Sequence, residues 1–418
     1  MGYAIPADLE AAGEGLSYRI PGAASPAGFP PYWRESYFFV AHRPDAPGDV
    51  LVLTMASHPA HRVLDSYQMG LISGSHFFAR QSRPWGDDDS GPTAVGPVSV
   101  QVVEPYQRWH LRVDCDDPGT RVGMDLTWTA RTAPYLTRRG SQRVGGTTVW
   151  DQRQLFQSGW FDGHYCVDGV RTPVTRWWGQ RDHSWGIRNH ARCPMWMWLA
   201  VQLPDGMAGV WCWEHPDGTR CFTDGCWLPS DGRAARPVTG FRHELSWVDE
   251  EGRETGYGQS GARVAGLAGQ VTLELAGAEP LIVSCRGTWA ARYGRRGGGL
   301  HQMAVRTVDG RAGTAIFELT GYSHHRYFPR LSRPDPHRLL NQAAQHDAVQ
   351  PDRVARGVDP VGGGQQRAHG GRHLKPGKPC AQAVVRPRAE TEMVIVGTSQ
   401  QESVGLGEPP LVAVSRAE

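Results

Sequence analysis

Over residues 31–330, short runs of β-branched and aromatic residues, partly alternating with polar ones, recur between turn residues. SYFFVAH (36–42), DVLVLTMAS (49–57), VSVQVVEP (98–105), RWHLRVDC (108–115) and RVGMDLTWTA (121–130) read as strands. The pattern weakens over 131–165, where TTVWDQRQLFQSGWF suits a short helix. A second set opens with MWMWLAVQL (195–203), MAGVWCWEH (207–215) and TRCFTDGCW (219–227), joined by two Pro-Asp-Gly turns. Further strands are expected at 237–247, 270–276, 280–289, 301–308 and 313–322. If Pro204-Asp205-Gly206 is a three-residue turn, Leu203 faces Met207, Trp198 faces Cys212 and Trp196 faces Glu214. Two successive antiparallel sets fit two closed or nearly closed barrels, which remove exposed edges. The expected class is all-β. An N-terminal segment (1–30) precedes a first barrel at 31–165 and a second at 166–330. With no strand–helix alternation and no GxxxxGK[ST], a nucleotide-binding α/β fold is not expected.

Composition sharpens this picture. The chain of 418 residues holds 52 Gly, 31 Pro and 16 Trp, which favours short strands and tight turns over helical bundles. Its aromatic residues end at Phe328, and its only lysines are Lys375 and Lys378. A segment so poor in apolar side chains cannot offset its ordering entropy, so 331–418 is expected to be a disordered, low-complexity tail. The abrupt switch in residue usage also fits a shifted reading frame. Formal charge is +2 with both signs scattered, which argues against a nucleic-acid groove or a polybasic membrane patch. No apolar run approaches the roughly 18 residues of a membrane span. The opening MGYAIPADLEAAGEG carries acids rather than an apolar core, unlike a signal peptide. The eight cysteines are therefore expected to be reduced and mostly buried, in a cytoplasmic protein.

Candidate chemistry concentrates in WWGQRDHSWGIR at 177–188. If this stretch is extended, Trp177, Arg181, His183, Trp185 and Ile187 share one face, and Trp178, Gln180, Asp182, Ser184 and Arg188 the other. Gly179 and Gly186 permit close backbone approach or a bulge. Glu214 has two readings: among the indoles of the following meander it is kept protonated near neutral pH, whereas a one-residue slip of register turns it outward to solvent. The bland alternative is that Arg181, Asp182 and Trp185 plug the closed end of a barrel, with the Trp and Met stripe at 195–198 as core. Several His and Cys residues fall between 164 and 226, but no CxxC or HExxH occurs, so no metal is expected. GxSxG is absent too.

GQRDHSWGIR, with the W-x-W-rich MWMWLAVQL after it and EPYQRW at 104–109, resembles the two-domain bacterial AttH-like proteins related to carotenoid 1,2-hydratase (hydroxyneurosporene synthase). The resemblance covers about 30–325. It implies two tandem lipocalin-like barrels and an apolar cavity for an isoprenoid, sterol or other lipid-like molecule. The His-x-Trp pair of the hydratases corresponds to His183 and Trp185. Their downstream Tyr-x-Asp pair is replaced here by GVWCWEH, with Glu214 as the nearest acid. Two functions follow as expectations. The first is a cofactor-independent hydratase or isomerase. Asp182 or Glu214 protonates an alkene, Trp185 stabilises the cation and His183 handles water, while Trp178, Gln180, Arg181, Trp196 and Trp198 contact substrate. The second is a non-catalytic carrier of a hydrophobic small molecule.

Overall fold

The computed structural model describes residues 28–44, 47–84, 94–190, 192–256, 263–292 and 298–320, together with Glu14, His325 and Tyr327. The expected tail at 331–418 lies outside the described residues. Every paired strand is antiparallel, and the described residues contain no α-helix. The protein is all-β.

Numbered in chain order, the first sheet runs β4 (Ser75–Pro84), β3 (Val63–Ile72), β2 (Val50–His58), β1 (Trp33–His42), β12 (Val170–Arg188), β11 (Thr147–Val167), β8 (Val122–Ala130), β7 (Arg108–Val113), β6 (Val98–Glu104) and β5 (Ala94–Val95). Two short strands, β9 (Tyr135–Leu136) and β10 (Gly140–Val144), also pair with β11. This sheet wraps around a core that includes Tyr37, Phe39, Trp109, Trp128, Phe161 and Trp177. The second sheet is a closed eight-stranded barrel of β13 (Met195–Leu203), β14 (Gly206–Glu214), β15 (Arg220–Pro229), β16 (Arg236–Val248), β17 (Gly266–Leu275), β18 (Leu281–Arg292), β19 (Gly298–Thr307) and β20 (Ala312–Thr320).

Four expectations are corrected. The stretch read as a short helix is the long strand β11, whose ladder with β12 runs from Trp150↔Arg188 to Val167↔Val170. Its backbone groups are satisfied on both sides by neighbouring strands, and that overrides its weak local pattern. The sheet boundary consequently falls between Arg188 and Met195 rather than at 165/166, because β12 pairs with β1 and β11. The β13–β14 turn has two residues, so Leu203 pairs with Gly206, Trp198 with Trp211, Trp196 with Trp213 and Met195 with Glu214. A one-residue slip in pairing exchanges partners all along a hairpin. Finally, Cys115 and Cys166 form a disulfide, while Cys193, Cys212, Cys221, Cys226 and Cys285 are free thiols. The thiol pairs because β8 carries the residues after Cys115 alongside the end of β11, with Cys166 opposite Gly123.

The corrected register explains the tryptophan stripe. Met195, Met197, Leu199, Cys212 and their neighbours point into the second barrel. Trp196, Trp198, Trp211 and Trp213 point outward and pack on Trp150 and Phe156 of the first sheet. Trp150 and Trp213 stack with centroids 4.1 Å apart, and Phe156 meets Trp198 edge-on at 4.8 Å. A second patch joins Val40, Val50 and Val52 to Ala290, Leu300 and Ile316. Strands buried on both faces read as apolar runs rather than strict alternation. Each ring buries roughly 150–250 Å², so this aromatic seam is a main source of cohesion between the sheets.

Candidate functional site

Strand β12 separates two buried environments. Side chains alternate along it, and Gly179 keeps it close to β1: an added Cβ would stand 1.8 Å from the Val40 carbonyl oxygen. Gly186 sits at φ 130°, a conformation open to glycine, where β12 passes β11.

The odd-numbered face lines the first sheet's interior. Arg181 is fully buried, with its guanidinium 5.2 Å from the Trp109 ring centre and 5.0 Å from that of Trp128. Such a cation cannot lose its proton and needs an anion. Arg181 Nη2 donates to Glu14 Oε1, while Glu14 Oε2 accepts from Tyr106 N–H and, at 3.1 Å, from Trp109 Nε1. The Tyr37 hydroxyl donates to the Glu14 carbonyl oxygen. Gln157 gives its amide protons to the carbonyls of Tyr106 and Thr132, and so presents Oε1 to Arg181 at 2.9 Å from Nη2. Two residues along, His183 Nε2 lies 2.7 Å from Glu35 Oε1. Its ring packs 4.8 Å from Tyr37 and 5.1 Å from Trp185. His183 is buried, whereas Trp185 is only partly covered.

The even-numbered face meets the seam between the sheets. Trp178 carries the Arg131 guanidinium 5.0 Å above its ring. Gln180 is fully buried, and neither its amide nitrogen nor its oxygen has a partner among the described residues. Asp182 is buried, and no ion-pair partner lies beside it among the described residues. Desolvation, and after it the charge of Glu318 across the seam, push its carboxyl up to about 7 against the pull of Arg188. The Gln154 side chain pulls in the same direction as Arg188, toward the charged form. Glu318 is also raised by burial, and it accepts from Trp196 Nε1 at 3.1 Å. Ser184 Oγ lies 3.2 Å from Ser36 Oγ, which in turn accepts from Arg34 at 2.6 Å. Arg188 sits 5.3 Å from the Trp196 ring, and burial, then Arg34, lowers it to about 10. The Nε1 of Trp198 also lacks a partner among the described residues.

These positions divide the expected residues. Asp182, Trp178, Gln180, Trp196 and Trp198 belong to the seam, while Arg181, His183 and Trp185 belong to the first interior. Asp182 and His183 therefore cannot serve one reacting atom from the same side of the strand. Glu214 is in neither place. It lies inside the second barrel, at 2.8 Å from His243 Nε2, 3.1 Å from His325 Nε2 and 3.0 Å from Arg220 Nη2. Burial opposes its charge, but the hydrogen bonds from His243 and His325, with Arg220, win and hold it well below the usual carboxylate range. The expectation of a protonated Glu214 among indoles is thus overturned by the register shift, which gives it imidazole and guanidinium partners. Among the described residues no group of three or more His, Cys, Asp or Glu side chains is arranged to hold a metal ion.

Sequence reasoning missed Glu14, Glu35, Gln154 and Glu318. Glu35 and Glu318 carried one faint signal, a lone acid within an otherwise apolar strand (WRESYFF and AIFELT). Glu14 carried none.

The model of a family of unknown function, DUF8625, matches residues 24–281, and the chain belongs to that family. No curated protein matches the sequence. Among solved structures, the AttH-like protein NE1406 of Nitrosomonas europaea is similar at 13% identity and a TM-score of 0.50, over 77% of this chain and 100% of that one. Kievitone hydratase of Nectria haematococca gives 12% identity and a TM-score of 0.44, over 75% of this chain and 96% of that one. CghA, solved with Sch210972, gives 12% and 0.46, over 74% and 95%. The likeness to the AttH-like protein shows that the fold is shared. No helix among the described residues is long and apolar enough to cross a membrane.

Proposed function

We propose, for this member of the family, a cofactor-independent hydratase or isomerase that protonates an alkene in an apolar small molecule at the seam. The observation that carries this reading is the buried Asp182 carboxyl, flanked by Phe38 and Phe156 on the neighbouring strands and pushed up to about 7 by that burial. A general acid works best with a pKa near the operating pH, and burial is how proteins raise a carboxyl to that value.

In the proposed step the Asp182 carboxylic acid gives its proton to one alkene carbon, whose π electrons form the new C–H bond. The adjacent carbon becomes a cation, and the faces of Trp196 and Trp198 attract it by about 1–2 kcal/mol. Water adds there and returns a proton to the Asp182 carboxylate, so the net change is addition of one water. If the carboxylate instead removes a neighbouring C–H proton, the alkene is isomerised with no net addition. Gln154 orients the carboxyl, Gln180 offers its amide to a substrate oxygen, and Glu318 keeps Asp182 from ionising early. His183 faces away and takes no part. Isoprenoid, sterol or lipid-like alkenes suit such an aromatic lining. The test is mass spectrometry of alkenes of these classes incubated with wild type and Asp182→Asn. Product that needs the carboxyl supports the reading, and turnover surviving the substitution ends it.

A carrier role is favoured by a different observation. A cavity of about 270 Å³ opens at the end of the first sheet, lined by Ile72, Phe77, Arg121, Val122, Tyr165 and Val167 among others, and its lining carries no carboxylate. A ligand recovered unchanged would favour this reading.

A further inference from the structure

We propose that the first sheet's interior contains a recognition site for the carboxylate of an apolar ligand, and that Glu14 occupies it as an internal stand-in. The cradle is made by the sheet itself. Arg181 on β12, Trp109 on β7 and the Tyr106 backbone between β6 and β7 all donate to one carboxylate. Gln157 on β11 fixes the guanidinium. The carboxylate comes from outside both sheets, from a residue well ahead of β1.

Its fit is incomplete. Glu14 engages the guanidinium through Nη2, while Arg181 Nη1, equally buried, has no hydrogen-bond partner among the described residues. Arginine binds carboxylates best through two parallel N–H···O bonds. An entering carboxylate that takes both Nη atoms would satisfy the donor that Glu14 leaves unused. Around the cradle, Trp109, Trp128, Tyr37 and Phe39 belong to the sheet's buried apolar core, so the body of a ligand held there meets apolar side chains. The ligand class is thus an amphiphilic acid, an apolar body ending in a carboxylate. This site is distinct from the seam and stands whether or not Asp182 protonates an alkene.

The experiment measures binding of dodecanoate and of dodecanol, the same chain without the charge, to the full-length wild type, Glu14→Ala and Glu14→Gln. Removing Glu14 leaves Arg181 buried with no carboxylate beside it among the described residues. The expected result is dodecanoate binding at least about tenfold tighter in Glu14→Ala than in wild type, with a smaller gain in Glu14→Gln and none for dodecanol. Arg181→Gln added to either variant should erase the gain. Should Glu14→Ala fold poorly, dodecanoate but not dodecanol should raise its thermal midpoint. Equal dodecanoate affinity in wild type and both variants overturns the proposal, as does an equal gain for dodecanol or a gain that survives Arg181→Gln. Turnover of an alkene that depends on Asp182 is read separately, so failure of one site is distinguishable from failure of the other.

Discussion

The two faces of β12 bury polar groups by opposite means. On the interior face the two polar side chains are matched to carboxylates: Arg181 pairs with Glu14, and His183 Nε2 lies 2.7 Å from Glu35 Oε1. On the seam face, Gln180 has no partner among the described residues, and Asp182 and Glu318 are both driven toward their neutral forms. A guanidinium cannot shed its charge, so it must import an anion. A carboxyl can take up a proton, so it escapes burial by becoming an acid. One face is therefore built to hold charge and the other to hold a proton, and the second is the property catalysis by proton transfer requires.

The widest separation between the faces lies in turnover. Asp182→Asn should lower it by roughly 10²–10⁴-fold, the scale of a lost general acid, while His183→Gln leaves most of it, as steady-state rates on one substrate will show. The reverse order would place the chemistry on the interior face. Next comes stability. Arg181→Met strands the Glu14 carboxylate and should cost about 3–5 kcal/mol by urea unfolding, whereas Asp182→Leu, which removes an acid already prone to neutrality, should be close to neutral. A cost at Asp182 equal to that at Arg181 would mean that the seam carboxyl is charged and paired.

Two pH dependences follow, of opposite sign. Glu214 is held below its unfolded value, so its contribution is present above the unfolded pKa and is lost as pH falls through the lowered folded value. Glu214→Gln should flatten the acid limb of wild-type stability measured by thermal melts. Asp182 is raised from 3.8 to about 7, so the native state binds the extra proton and stability declines as pH rises between those values. Asp182→Asn should therefore raise the midpoint modestly at pH 8 and have little effect at pH 3. This is the smallest expected effect, and a destabilised variant at pH 8 would count against it.

Much of the fold was legible because it rests on local pattern. MWMWLAVQL coincides with β13, and the alternation along 177–188 correctly sorted Arg181 from Asp182. What failed depended on long-range pairing. The strand character of 147–167 comes from partners on both sides, and the two-residue turn at Pro204-Asp205 decides which way Glu214 points. The disulfide joins cysteines 51 positions apart, whose approach follows from β8 lying beside β11. The site was half legible for the same reason. Asp182, Trp196 and Trp198 stood out as acid and indole in the sequence. Glu318, which adds to the effect of burial in raising Asp182, and Glu14, which pairs with Arg181, are brought there only by the fold.

The most direct test of the account is the protonation of Asp182 itself, read as the carboxylic C=O band in infrared difference spectra of wild type against Asp182→Asn across a pH titration. The account predicts a protonated-carboxyl band present at pH 6 and fading around pH 7. A band already gone below pH 5 would show an ordinary ionised aspartate and remove the acid on which the proposed chemistry depends.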